Sequence, residues 1–120
     1  MAALELSLTF YRPATTEEMY IHTDADGNLQ ADSYLGDDPP GQSITGTWDE
    51  ATNALNFRAG GLGGVKGGDL FVSFYSGYAI FDGDGNLSGL AGTYHEHVIT
   101  IEPFGLAEEL GGWYAIPNIA

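Results

Sequence analysis

The sequence predicts an all-β protein, a small antiparallel barrel of about eight or nine strands in meander order, with a sandwich as the alternative. Two observations carry that prediction. Apolar and polar residues alternate with period two along much of the chain, and the alternating runs are separated by residues suited to tight turns. The first run is the clearest: Leu4, Leu6, Leu8 and Phe10 alternate with Glu5, Ser7, Thr9 and Tyr11, as in a strand with one face on a core. Further strands are expected at 19–23, 28–35, 43–48, 54–58, 70–82, 90–102 and 113–116. Asp26, Gly27 and Asn28, and again Asp84, Gly85 and Asn86, are the strongest hairpin signals, because these residue types tolerate positive φ. Residues 37–41 (Asp, Asp, Pro, Pro, Gly) read as a loop, 50–53 as a four-residue turn, and the glycines from Gly60 to Gly68 as a connector. Only Gly105 to Leu110 is compatible with a helical turn.

Charge narrows the function. The 120 residues carry 17 acidic and 3 basic side chains, for a net charge of −14, while 43% are apolar and 12% aromatic. That is enough apolar material for one packed domain, 1–120. A polyanion of this kind is repelled by nucleic-acid backbones and anionic membrane surfaces, which excludes both as partners held by charge. The acidity suits a basic protein partner, or solubility at high salt, where self-repulsion is screened. There is no cysteine, so disulfides and thiolate metal sites are absent. The first eight residues lack a basic segment and a continuous apolar run, which predicts no export and a cytoplasmic location, and no window is apolar enough to span a bilayer as a helix.

The chain also resembles itself. Leu6 to Tyr11 matches Leu70 to Tyr75, Tyr20 to Leu29 matches Tyr78 to Leu87, and Ile44 to Glu50 matches Leu90 to Glu96. This suggests half-repeats 1–58 and 69–120 joined by the Gly-rich 59–68, although similar hairpins arise without duplication. If the sheet closes, an eight-stranded barrel either fills with side chains or holds one small ligand. Tyr11, Tyr20, Tyr34, Trp48, Tyr75, Tyr78, Tyr94, Trp113 and Tyr114 suit either outcome, each combining a broad apolar face with a polar handle. Trp48, Tyr78, Tyr94 and Trp113 are the candidate ligand-binding residues. No cofactor is called for. A sheet that does not close leaves edges, and pairing into a homodimer is expected.

Ile44 to Trp48, followed later by Gly85 to Tyr94, resembles the opening strands of avidin-type barrels, and Gly46 with Trp48 is similar to the Gly-x-Trp of lipocalins. This calycin-like resemblance implies a meander barrel with Trp48 plugging one end. It covers about fifteen residues and does not extend to the residues that line the biotin site in the avidin family.

His95, Glu96 and His97 are the constellation best suited to carry chemistry. On a strand, both imidazoles fall on one face, within reach of one metal, while Glu96 points away. A third ligand is needed, and a resemblance to the first cupin motif implies Glu102. Gly89, His95, His97 and Glu102 are similar to the first cupin motif, which implies a metal-binding jelly roll; position 109 is Glu where that motif has Gly, and no second motif follows. His22 lies outside this group. The paired Asp-x-Asp-Gly-Asn turns differ from an EF-hand loop, with glycine at the fourth position and no glutamate at the twelfth. No Gly-x-Ser-x-Gly elbow or phosphate-binding loop is present.

Three functions follow, in order: a non-catalytic small-molecule-binding barrel of calycin type; an acidic protein-interaction or inhibitor module with loop 37–41 protruding; and a cupin-like metal enzyme on His95 and His97, which predicts a stoichiometric metal that is lost in His97→Ala.

Overall fold

The computed structural model describes residues 3–13, 15–36, 42–62, 70–101 and 104–118, with backbone alone at 61, 62, 70, 71 and 101. Eight strands form one closed barrel: β1 (Glu5–Arg12), β2 (Thr15–His22), β3 (Tyr34–Leu35), β4 (Gln42–Asp49), β5 (Ala54–Leu62), β6 (Leu70–Phe81), β7 (Leu87–Ile101) and β8 (Phe104–Pro117). Each pairs antiparallel with its neighbour in sequence. β8 closes on β1, from Leu8 opposite Pro117 to Tyr11 opposite Tyr114. This is the expected meander barrel. It is not the Greek-key jelly roll that the cupin-like motif implied, because among the described residues each strand pairs with its neighbours in the chain and β8 closes on β1.

The two Asp-Gly-Asn turns have the same construction. Asp24 Oδ1 accepts the backbone N–H groups of Asp26 and Asn28, and Asp82 Oδ1 those of Asp84 and Asn86. Gly27 and Gly85 supply the positive φ, at 90° and 84°. Asp24 and Asp82 thus serve as turn caps, and these hydrogen bonds, from Asn28 and Asn86 above all, hold both carboxyls below their ordinary range. The turn at 50–53 is present, ending on Asn53 at φ 58°. Loop 37–41 and most of the Gly-rich connector lie outside the described residues.

Two expectations are corrected. The strand expected at 28–35 is reduced to Tyr34 and Leu35. The preceding residues turn back at Asp24 and are tied to β4 instead, by Leu29 N–H to Gly46 O and Trp48 N–H to Gly27 O. Buried Ser33 exchanges bonds with the backbone of His22, which fixes that excursion without a ladder. The helical turn expected at 105–110 is part of β8, where pairing with His95 to Thr100 overrides the helix preference of Ala107, Glu108 and Glu109.

Strand alternation builds the interior. Leu8 and Phe10 from β1, Met19 and Ile21 from β2, Ile44 and Trp48 from β4, and Leu55 and Phe57 from β5 all point inward and are buried. Each large side chain so buried contributes about 1.5–3 kcal/mol. β8 pairs with β1 only through Tyr114, so β5–β8 rise past the end of β1 and make one wall of the barrel taller. The mouth behind that wall holds the polar side chains.

Candidate ligand site

The waist of the barrel is closed by rings. Phe57 and Tyr75 stack with centroids 4.6 Å apart and planes 7° from parallel, Phe10 stacks on Trp113 at 5.6 Å, and Tyr94 lies 5.8 Å from Tyr75. The interior is therefore not the through-going hollow that a guest in the middle would require. Below the rings is an apolar chamber of about 70 Å³, lined by Trp48, Ile21, Leu55, Ala79 and Leu90. That is far below the ~300–1,000 Å³ of ordinary ligand pockets.

Above the rings the chemistry changes. The inward positions of β1 run Leu8, Phe10, Arg12, and the guanidinium of Arg12 reaches over the ring floor. Its Nη1 donates to Tyr75 Oη at 3.3 Å, its Nη2 lies 3.6 Å from Glu96 Oε1, and its Cζ sits 4.9 Å from the centroid of the Tyr94 ring. Glu96 is fixed from its other side by the hydroxyl of buried Ser73, which donates to Oε1 at 2.9 Å. Burial works against the Arg12 charge, but Tyr75, Glu96, Tyr94 and Glu109 more than compensate, so the guanidinium stays firmly protonated. Burial raises the Tyr75 hydroxyl above its usual value, and Tyr94 is raised by burial and by neighbouring Glu109. Both phenols are hydrogen-bonding alcohols at neutral pH. Glu17 also faces this region and adds its field to Tyr75. The mouth thus sets three carboxylates, Glu17, Glu96 and Glu109, against one guanidinium over an aromatic floor.

The candidate residues divide by strand parity. Trp48, Tyr94 and Trp113 are interior and nearly fully buried. Trp48 belongs to the apolar chamber at the far end, in keeping with a plug, and Trp113 has its indole N–H committed to Thr93 O at 3.0 Å. Only Tyr94 of the four borders the polar mouth. Tyr78 is 62% exposed on the outer face, because Gly77 and Ala79 take the inward positions on either side of it. Tyr11 and Tyr114 likewise stack on each other outside, at 4.7 Å. Sequence reasoning missed Arg12, Ser73 and the inward role of Glu96. The available signal was a cation continuing the inward series Leu8, Phe10, since a charge at such a position requires partners.

His95 and His97 share one face, as expected, and Glu96 faces the opposite way. That shared face is the outside of the barrel. Both imidazoles approach Glu108 of β8, while Glu102 lies outside the described residues. His22 is occupied elsewhere, its Nδ1 2.9 Å from the carboxylate of Asp32.

No protein-family model matches the chain, and no curated protein matches it in sequence. Among solved structures, the chain is similar to one described as a rhizavidin–biotin complex, with a TM-score of 0.63 over 100% of this chain and 97% of that one, at 16% identity. The fold is that of an avidin-like, calycin-type barrel. At this identity the likeness concerns the fold.

Proposed function

We propose that the protein is a non-catalytic binder of a small molecule, which it takes up at the barrel mouth formed by Arg12, Tyr75, Tyr94 and Glu96. The observation that carries this reading is a half-buried guanidinium held over stacked rings by Tyr75, Tyr94 and Glu96, a few convergent polar groups on an aromatic floor. The excess of carboxylates favours a neutral or cationic planar ligand over one that ends in a carboxylate. The avidin-like fold supports a binding role, and biotin, named with the structural neighbour, serves as the carboxylate-bearing comparison, expected to respond less than neutral or cationic compounds. Thermal denaturation with biotin, benzamidine and a panel of uncharged heterocycles tests the proposal. A ligand at 100 times its Kd adds about 2.7 kcal/mol, or about 10 °C in Tm for a chain of 120 residues. The responding compound should lose its effect in Tyr94→Ala. A panel without any shift, or a shift unchanged in that variant, refutes the site.

The protein is further proposed to act as a homodimer through the outer face of β6–β8. Barrel closure removes the reason first given, an open sheet, but the face supplies another. Phe74, Tyr78, Ile80, Leu106, Leu110, Tyr114 and Ile116 are all exposed there, and Glu108 is the acid among them in a chain of net charge −14. A shallow depression of about 940 Å³ across β4–β8 continues this face past Thr45, Asn56 and Phe74. Three strands of about eleven residues cover roughly 500 Å² in projection, and side-chain relief brings this toward the ~800 Å² per partner of an ordinary interface. A second copy fits because a surface that carries one carboxylate, Glu108, among apolar side chains lets two strongly acidic chains meet with little of their mutual repulsion. Sedimentation equilibrium should give a dimer that Tyr78→Glu dissociates. A wild-type monomer at ~100 µM, far above an ordinary dimer Kd, refutes it.

A further inference from the structure

We infer that His95, His97 and Glu108 form a binding site for one Zn²⁺-class transition-metal ion on the outer face of the barrel, separate from the mouth. The ligand set comes from two paired strands. His95 and His97 are two residues apart on β7, so their side chains leave the sheet on the same side, and Glu108 on β8 is the register partner of His97. One donor atom from each of the three lies within 4.8 Å of the others. Glu108 Oε1 is 3.5 Å from His97 Nδ1 and 3.7 Å from His95 Nε2, and the two imidazole rings are 4.1 Å apart. With metal–donor bonds of about 2.0–2.1 Å in tetrahedral geometry, donor atoms stand about 3.3 Å apart. The group is therefore a few tenths of an ångström to about 1.5 Å wider than a loaded site, a difference that side-chain rotation closes.

A second observation concerns His95. Its Nε2 is buried, yet has no hydrogen-bond partner among the described residues, because 3.7 Å to Glu108 is too long for a hydrogen bond. A covered ring nitrogen aimed at a carboxylate is costly as it stands, and a cation between the two satisfies it. The surroundings help. Phe74 and Leu110 are the cross-strand partners of His95, and Phe74 also meets His97 edge-on at 6.3 Å, so apolar side chains border the donors and limit competing water. Two imidazoles and one carboxylate select zinc, copper or nickel over calcium and magnesium, which prefer all-oxygen shells. Three protein ligands leave at least one position for water.

The test uses the full chain freed of metal by a chelator, then titrated with Zn²⁺ against a competing chromophoric chelator. The expected result is one Zn²⁺ per chain, with affinity falling at least tenfold in His97→Ala and in Glu108→Gln and unchanged in His22→Ala. Glu102→Gln distinguishes the third ligand: binding should survive it. Near-ultraviolet circular dichroism of each variant verifies the fold, and Co²⁺ in place of Zn²⁺ should give visible absorption bands that weaken in the same two variants. Absence of stoichiometric binding, undiminished binding in Glu108→Gln, or loss in Glu102→Gln with retention in Glu108→Gln overturns the assignment.

Discussion

Replacing Arg12 by Met keeps an unbranched stem of similar reach and removes the guanidinium, so it isolates what the charge does at the mouth. Three interactions disappear: the 3.3 Å hydrogen bond to Tyr75, the 3.6 Å pairing with Glu96, and the contact over the Tyr94 ring at 4.9 Å. The hydrogen bond is long and contributes about 1 kcal/mol, and the ring contact contributes about 1 kcal/mol in this half-buried setting. Glu96, whose side chain is 14% exposed, is left with Ser73 as its donor, which adds roughly 1–2 kcal/mol. Relief from desolving the guanidinium offsets part of this sum. A net loss of about 2 kcal/mol follows, or about 8 °C in Tm. Urea denaturation of Arg12→Met, Glu96→Gln and the double variant measures it. The Gln amide oxygen still accepts from Ser73 without carrying charge, so the double variant should be no less stable than Arg12→Met alone, with a coupling of about 1 kcal/mol. Arg12→Met within about 0.5 kcal/mol of wild type, together with additive single effects, refutes the account of the mouth as a coupled polar unit.

Three further outcomes are expected. Tyr75 has its hydroxyl raised above the ordinary 10.0 in the folded chain, so the unfolded chain ionises first; stability present below pH 10 should fall as pH rises through the folded value, and Tyr75→Phe should flatten that fall in alkaline urea titrations. A Cβ at Gly77 would lie 2.6 Å from Ala91 O and 2.6 Å from Trp113 Cζ2, whereas one at Gly111 would meet no backbone atom this closely, only the hydroxyl end of the Tyr94 side chain at 2.7–2.8 Å. Gly77→Ala should therefore cost about 1–3 kcal/mol and Gly111→Ala less, and equal Tm values would contradict the packing. Asp24 and Asp82 are held below 3.8, so their caps support the fold above that pH and fail as pH falls through the lower folded value. Asp82→Asn should accordingly show a shallower loss of stability between pH 4 and pH 2, and an identical slope would remove the cap from the acid response.

Most of the barrel is legible in the sequence because its strands satisfy two local rules together, alternation and turn chemistry. Leu4 to Tyr11 and the two Asp-Gly-Asn turns need no tertiary information. The excursion at 24–33 is hidden from alternation because its bonds run to β4, from Leu29 N–H to Gly46 O and from Trp48 N–H to Gly27 O, partners that the pattern of a single strand does not reveal. The stretch from Gly105 to Leu110 misleads for the opposite reason: its residues favour helix locally, and cross-strand pairing outweighs them. The mouth was only half legible. Aromatic residues drew attention, but parity sends Tyr78, Tyr11 and Tyr114 outward, while the decisive polar residues, Arg12 and Ser73, look individually like ordinary strand-end and surface types.

Strand parity also explains why one short segment carries two unrelated chemistries. From Tyr94 to His97, β7 presents Tyr94 and Glu96 to the inside and His95 and His97 to the outside. The inward pair is fixed by Leu90, whose burial sets the phase of the strand, and the histidines then have no route to the interior short of a one-residue slip that would expose Leu90 and Tyr94 together. Such a slip would cost two large buried side chains, several kcal/mol, so the outward orientation of the imidazoles is as secure as the core itself. A ligand at Tyr94 and Glu96 and a metal at His95 and His97 are thus separated by the thickness of one strand. Side-chain variants on one face should leave binding on the other unchanged, provided the register holds.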